Sequence, residues 1–234
     1  MYFGMFDPTI IVLIPAVVLT LYAQMKVKGA YNRYSRIGNR RRITGSQAAR
    51  RILDANGLNH VPVGITPGVL SDHYNPVNDT MSLSNDVYNG TSIAAVSIAA
   101  HESGHAIQDS RGYSLLRFRN AMAPVTNFAS TASWIMILAG FAITAFGSMS
   151  TGNLVFDIGI LLFAVVVLFH LVTLPVELDA SRRAVQQLTS LGIIDQTEIK
   201  GARKVLSAAA LTYVAALATA VLQLIRLLMI RGRD

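Results

Sequence analysis

Four long apolar segments constrain the fold of this chain more than any other feature. They cover approximately residues 7–25, 121–147, 154–174 and 205–229. A helix needs about 20 consecutive apolar residues to cross the ~30 Å hydrocarbon core of a bilayer, and each segment is near or above that length. Charged residues make up 14% of the chain, whereas soluble domains carry about 25%. The sequence therefore predicts an α-helical membrane protein with about four transmembrane helices.

The basic residues predict how these helices are oriented. Twelve of the twenty Lys and Arg residues lie in 26–119, five lie in 182–204, and the short link 148–153 has none. Because Lys and Arg are enriched in cytoplasmic loops, the first and third connections should be cytoplasmic. Arg226 lies within the last apolar segment near its end, and Arg231 and Arg233 follow it, which leaves the orientation of this segment open. The net charge of +7 is explained by these flanks, so no nucleic acid partner is expected.

The predicted organisation has five parts, placed in the cell membrane as a multi-pass protein. The first apolar segment is interpreted as a retained anchor, because residues 1–9 contain no Lys or Arg. The chain has no cysteine, which excludes disulfides and cysteine-bound metals. The expected parts are an N-terminal transmembrane anchor at 1–25, a small zincin-like α+β cytoplasmic domain at 26–120, a transmembrane hairpin at 121–174, a cytoplasmic segment at 175–204 and a C-terminal transmembrane helix at 205–234.

Helical spacing and short alternating runs predict the elements of the 26–120 segment. Helices are expected at 45–56 and 93–108, the second capped by Thr91 or Ser92. Strands are expected at 61–65, 69–72 and 81–84. We expect 81–84 to be an exposed sheet edge, which could pair with an extended substrate backbone. An ordinary sheet edge without that role is the alternative.

One motif within the second predicted helix carries the chemistry. His101, Glu102, Ser103, Gly104 and His105 form the pattern H-E-x-x-H. On a helix, positions i and i+4 share a face, so the two histidines can present nitrogens to one zinc ion. The glutamate beside the first histidine can act as the base that takes a proton from water. The pattern predicts a catalytic zinc site.

A catalytic zinc usually has three protein ligands, so one more His, Asp or Glu is required. Glu177 is the strongest candidate, because it follows the third apolar segment and falls on the same predicted side as His101. An interfacial carboxylate paired with Arg182 or Arg183 is the alternative interpretation of this residue. The other candidates for the third ligand are His60, His73, His170 and Glu198.

Further segments around the motif resemble a known family. Their sequences are DHYNP (72–76), LS (83–84), VY (87–88), AAV (94–96), AAHESGHAIQ (99–108) and LPVELDASRR (174–183). With these segments and the placement of its spans, the chain resembles the YugP-type bacterial membrane zinc metallopeptidases. The resemblance implies a membrane-embedded, zinc-dependent peptidase with His101, His105 and Glu177 as ligands and Glu102 as base.

More distantly, the chain resembles the gluzincins, including thermolysin-like enzymes, HtpX-type membrane proteases and CAAX prenyl proteases. In many of these, an Asp four residues after the Glu ligand orients a ligating His. Here that position is Ser181, and Asp179 comes two residues after Glu177. The partner behind His101 could therefore be Ser181, Asp179 or a backbone carbonyl. Candidates for stabilising the oxyanion are His73, Tyr74, Tyr88 and Arg182.

These observations predict a zinc metalloendopeptidase with one catalytic Zn²⁺. Its expected substrates are membrane-associated or unfolded polypeptides that reach the cytoplasmic face, because the motif lies outside the four apolar segments. The enzyme is expected to lie in the lipid bilayer. An accessory membrane partner is expected for ATP-driven unfolding of substrates, since the sequence has no phosphate-binding loop for ATP. The alternative function is a non-catalytic membrane scaffold or regulator with a structural zinc. A lipid- or nucleic-acid-binding membrane protein is a third reading based on basic charge alone.

Overall fold

The computed structural model describes residues 8–232 and is mostly helical, with a small three-stranded sheet. The helices in this range are α1 (Ile14–Tyr34), α2 (Gly45–Ala55), α3 (Asn85–Tyr88), α4 (Ile93–Ser110), α5 (Ser114–Phe146), α6 (Met149–Ser190) and α7 (Gln196–Arg231). The strands are β1 (Val63–Thr66), β2 (His73–Asn75) and β3 (Thr80–Ser84). A 3-10 turn at Pro8–Leu13 precedes α1.

Four of the helices are long and apolar enough to cross a membrane. They are α1 with its preceding turn (Pro8–Tyr34), α5, α6 and α7. At most 33% of the residues in each apolar window are buried inside the protein, as expected for helices whose apolar side chains face lipid. The prediction of a mainly helical protein with four candidate membrane spans and a small sheet is confirmed. The helices extend well beyond the apolar windows, since α6 continues through Pro175 to Ser190.

The described residues divide into two compact units. The first contains the described parts of 1–22, 118–174 and 213–234. Its α5 and α6 approach closely at glycines: a Cβ at Gly140 would lie 2.8 Å from the backbone nitrogen of Phe156, and a Cβ at Gly159 would lie 2.8 Å from Ile137. Such small residues allow membrane helices to pack backbone to backbone. Buried Phe163 and Leu227 complete the core of this unit with Ile137 and Phe156.

The second unit contains residues 23–117 and 175–212. Helix α2 begins with a capping box, in which the Gln47 amide donates to Thr44 Oγ1 (3.2 Å) and the Thr44 amide donates to Gln47 Oε1 (3.1 Å). This pair satisfies two backbone donors that the first helical turn leaves free. Helix α4 begins similarly, with the Ala95 amide donating to Ser92 Oγ (3.1 Å). The core of this unit lies between α2, the sheet, α4 and the C-terminal half of α6.

The sheet has the order β1-β3-β2, with β1 parallel and β2 antiparallel to β3. The prediction that 81–84 is an exposed edge is therefore wrong, because β3 is the central strand. Met81 and Leu83 on β3 are almost fully buried. Alternation of apolar residues indicates that one face of a strand is buried, but it does not indicate whether the strand pairs with one other strand or with two.

The predicted strand at 69–72 is also wrong. Gly68 and Leu70 have positive φ values of 103° and 55°, a backbone conformation that a strand does not adopt. The Ser71 hydroxyl donates to the Pro67 carbonyl (2.8 Å), which closes the turn. The second strand begins only at His73, and it is one of the two edge strands of the sheet.

Candidate metal centre

Helix α4 carries the H-E-x-x-H motif along a tightly packed face. Its buried residues include Ala99, Ala100, Ala106 and Ile107. Small alanine side chains let the neighbouring elements approach the helix backbone. His101 and His105 direct their rings to the same side of α4, because residues four positions apart on a helix share a face. Their ring centroids are 4.8 Å apart.

Helix α6 brings a carboxylate to these two rings. His101 Nε2 lies 3.2 Å from Glu177 Oε2, and His105 Nε2 lies 3.6 Å from the same oxygen. All three potential ligand atoms are within 4.8 Å of one another. Glu177 is 4% exposed and His105 is 8% exposed. Two imidazole nitrogens and one carboxylate oxygen are the donors of a three-ligand catalytic zinc site, so the residues fit this metal.

The Nδ1 atom of each imidazole, which faces away from Glu177, also has a polar partner. His101 Nδ1 lies 3.2 Å from Ser181 Oγ, and His105 Nδ1 lies 3.0 Å from Gln108 Oε1. Partners at these positions fix the orientation of ligating rings. Both Nε2 atoms are thereby left facing Glu177.

Glu102 lies beside this cluster with its carboxylate held by the sheet. The Tyr74 backbone amide of strand β2 donates to Glu102 Oε2 (3.1 Å). Burial raises the pKa of the Glu102 carboxyl to about 7. The charges of Glu177 and Asp72 also raise it, whereas His101 and the Tyr74 amide lower it. The carboxyl can therefore take up and release a proton near neutral pH.

Comparison with known proteins identifies the family. The model of the family described as "Putative neutral zinc metallopeptidase" matches residues 9–232, which is nearly the whole chain. The chain belongs to this family. A curated relative, the "Putative membrane protease YugP" of Bacillus subtilis (strain 168), is 46% identical over 223 residues, covering 94% of this chain and 96% of the relative. No solved structure matches the chain.

Three other candidate ligands of this zinc metallopeptidase family member are not part of the three-residue cluster. His60 and His73 are exposed, and His73 Nδ1 lies 2.9 Å from the Ser71 carbonyl. Glu198 instead accepts from the backbone amides of Arg40 and Asp195, both at 2.8 Å. These contacts give Glu198 a structural role at the start of α7.

His170 belongs to the first unit, and the three-residue cluster does not include it. The Arg182 and Arg183 guanidinium groups pair with Asp179. The Glu177 carboxylate, for which pairing with one of these arginines was the alternative, contacts His101 and His105.

The candidates for oxyanion stabilisation have different surroundings. The Tyr74 hydroxyl lies 2.7 Å from Asp79 and 3.1 Å from Asp109. Burial and these two carboxylates raise the pKa of the Tyr74 phenol, with burial the largest cause. This phenol therefore joins β2 to α4 and keeps its proton. Arg182 is largely exposed and paired with Asp179, and Tyr88 is half-buried at the end of α3.

Gln108 is a residue of the site that sequence reasoning did not single out. It is fully buried and contacts His105, the Val176 carbonyl and Asp179. The available signal was its position three residues after His105, which places both side chains on one face of the helix.

Gly104 lets α4 and α6 meet at the cluster. A Cβ at this position would lie 2.6 Å from the Ala180 carbonyl oxygen, which is rigid backbone. We expect Gly104→Ala to separate the helices, lower the free energy of unfolding by about 1–3 kcal/mol, and weaken zinc binding by moving Glu177. Thermal unfolding and zinc titration of the purified protein measure both effects.

The matched control is Ser103→Ala, which alters the neighbouring buried position. Within residues 8–232, the Ser103 hydroxyl donates to the Ala99 carbonyl of its own helix (2.8 Å) and to no other helix. Its removal should change stability by no more than about 1 kcal/mol and leave zinc binding intact. Equal effects of the two substitutions would contradict the close approach of α6 as the reason for Gly104.

Proposed function

We propose that the chain is a membrane-embedded zinc metalloendopeptidase. One Zn²⁺ would be held by His101, His105 and Glu177, and Glu102 would be the general base. The convergence of the three ligand atoms within 4.8 Å carries this proposal. A bound Zn²⁺ supplies a Lewis acid that activates water and polarises the scissile carbonyl.

Glu102 moves the proton in this reaction. Its carboxylate accepts a proton from the water that attacks the peptide carbonyl carbon. It then delivers this proton to the nitrogen of the leaving amine as the C–N bond breaks. Burial raises the pKa of this carboxyl, which favours its holding the proton between the two steps.

We propose that the substrate backbone lies along the outer edge of β2. This role was expected of the 81–84 strand, but β2 is the edge that faces the motif helix. Tyr74 is opposite Met81 in the antiparallel register, and its amide donates outward to Glu102 Oε2. An extended polypeptide paired along this edge would present its carbonyl groups beside the Glu102 carboxylate.

The cellular setting is also a proposal. The distribution of Lys and Arg supports a cytoplasmic location for residues 26–120 and 175–204, with membrane segments at 1–25, 121–174 and 205–234. The site would then act in the cell membrane on membrane-associated or unfolded polypeptides at the cytoplasmic face. An accessory membrane partner would be needed for substrates that must be unfolded with ATP.

The test of this function is metal-dependent cleavage by the purified full-length chain. A fluorescently labelled unfolded polypeptide is incubated with the protein in lipid nanodiscs, before and after treatment with a zinc chelator. We expect cleavage to stop on chelation and to return when Zn²⁺ is added, whereas Mg²⁺ should not restore it because it prefers six oxygen ligands.

A preparation of the His101→Ala variant, purified identically, serves as the control for contaminating proteases. It should not cleave under any of these conditions. Cleavage by the wild type that survives chelation, or equal cleavage by the variant, would contradict the proposed function.

A further inference from the structure

We propose that Gln108 is a positioning residue that sets the tautomer of His105 and fixes the helix carrying Glu177. This inference rests on the proposed function only in assigning His105 to the metal. Gln108 is not a catalytic residue, since it acts through His105. Its side chain is fully buried and makes three polar contacts.

Two of these contacts determine which way the amide points. The Val176 carbonyl, 2.9 Å from Gln108 Nε2, can only accept a hydrogen bond. The Asp179 carboxylate, 3.0 Å from the same nitrogen, is held by Arg182 and Arg183 (Nε at 2.5 Å for Arg183). An ionised carboxylate also only accepts. The NH₂ group of Gln108 must therefore face both acceptors.

This orientation dictates the proton position on His105. With the NH₂ group turned to α6, Gln108 presents its Oε1 to His105 Nδ1 at 3.0 Å. A carbonyl-type oxygen only accepts, so Nδ1 must carry the ring proton. The lone pair is then on Nε2, the nitrogen 3.6 Å from Glu177 Oε2, where a metal ligand needs it.

His101 is constrained differently, because in the zinc-free protein its Nε2 lies 3.2 Å from Glu177 Oε2, a carboxylate oxygen that only accepts. Its Nδ1 lies 3.2 Å from Ser181 Oγ, and a hydroxyl can either donate or accept. Ser181 orients the ring without selecting its tautomer. Asp179, a candidate partner of His101 on sequence grounds, thus supports the other histidine of the pair through Gln108.

The same amide also fixes α6. Its two partners on that helix, Val176 and Asp179, lie on either side of Glu177 in sequence. One side chain on α4 therefore both orients a histidine ligand and sets the rotation of the helix that presents the carboxylate ligand. This arrangement should exist before any metal binds.

The proposal is tested by zinc affinity and by the proton position on His105, neither of which depends on proteolysis. Zinc affinity of the full-length protein is measured by competition with a chromophoric chelator. Loss of a partner behind a ligand typically weakens metal binding about 10–100-fold, and we expect this for Gln108→Met. The matched control Gln187→Met, which loses a 3.1 Å contact with Asn56, should bind zinc like the wild type.

A double-mutant cycle tests the route through Asp179. Asp179→Asn alone should weaken zinc binding by less than Gln108→Met, because the Gln108 amide loses a charged acceptor while the Val176 carbonyl still accepts from its Nε2. Combined with Gln108→Met, it should add almost nothing, since both changes remove the same support. Additive losses would overturn the route from Asp179 through Gln108. Thermal unfolding of each variant identifies any loss of affinity that comes from misfolding.

Nitrogen NMR of ¹⁵N-histidine-labelled protein reads the tautomer directly, and the chain has only five histidines. In zinc-free wild type we expect the His105 proton on Nδ1, and in Gln108→Met we expect this preference to be lost while His101 is unchanged. Retention of the Nδ1 proton in Gln108→Met, or wild-type zinc affinity, would overturn the proposal. Failure of peptide cleavage would instead count against the proposed function. The zinc affinities and the His105 tautomer would still test the role of Gln108.

Discussion

Glu177→Ala is expected to reduce zinc affinity by at least roughly 100-fold, because it removes a ligand and not merely a partner behind one. Among the described residues, Glu177 is the carboxylate that joins the two histidines in a group able to hold a metal. Its oxygen lies 3.2 Å and 3.6 Å from their Nε2 atoms. Without it, two imidazoles on one helix would provide only two of the three ligands that a catalytic zinc requires.

Metal content after dialysis, together with chelator competition, measures this loss. The control is Glu198→Gln, which alters the other glutamate of the second unit that is almost fully buried. Glu198 caps the start of α7 and lies outside the cluster, so this variant should retain its zinc. Full zinc occupancy in Glu177→Ala would contradict the assignment and direct attention to His60 or His73 as the third ligand.

Glu102→Gln is expected to lower the rate of peptide cleavage about 10²–10⁴-fold while zinc stays bound. The substitution keeps the size and shape of the side chain. The new amide oxygen can still accept from the Tyr74 backbone amide, which now donates to Glu102 Oε2 at 3.1 Å. What is lost is the ability to take a proton from water and pass it to the leaving amine.

The comparison requires metal content and cleavage to be measured on the same preparation. Zinc equal to the wild type with almost no cleavage would match the proposed role. Cleavage at the wild-type rate would contradict the assignment of Glu102 as base. Loss of zinc together with cleavage would mean that Glu102 supports the metal and is not only a proton carrier.

The sequence predicted the parts of the fold that depend on local patterns. The apolar windows located four candidate membrane helices, and the spacing and caps located α2 and α4 to within a few residues. Helix ends were less predictable, because the backbone remains helical where polar residues replace apolar ones. Helix α6 is the main example, since Pro175 falls inside it and Glu177 lies on the same continuous helix as the third span.

What the sequence could not provide are the pairings between distant segments. The central position of β3 follows from β1 and β2 lying on either side of it, which alternation in 81–84 does not encode. The role of Gln108 was missed for the same reason, because its partners Val176 and Asp179 are about 70 residues away along the chain. The motif predicted which side chains carry the chemistry, but not the groups that orient them.

Crystals of the zinc-bound full-length protein, measured at wavelengths on both sides of the zinc absorption edge, test the central claim most directly. The account predicts one anomalous peak per chain, about 2.0–2.2 Å from His101 Nε2, His105 Nε2 and a Glu177 carboxylate oxygen, with no fourth protein ligand. A peak at other residues, or a fourth protein ligand that closes the coordination, would contradict a catalytic zinc site at this place.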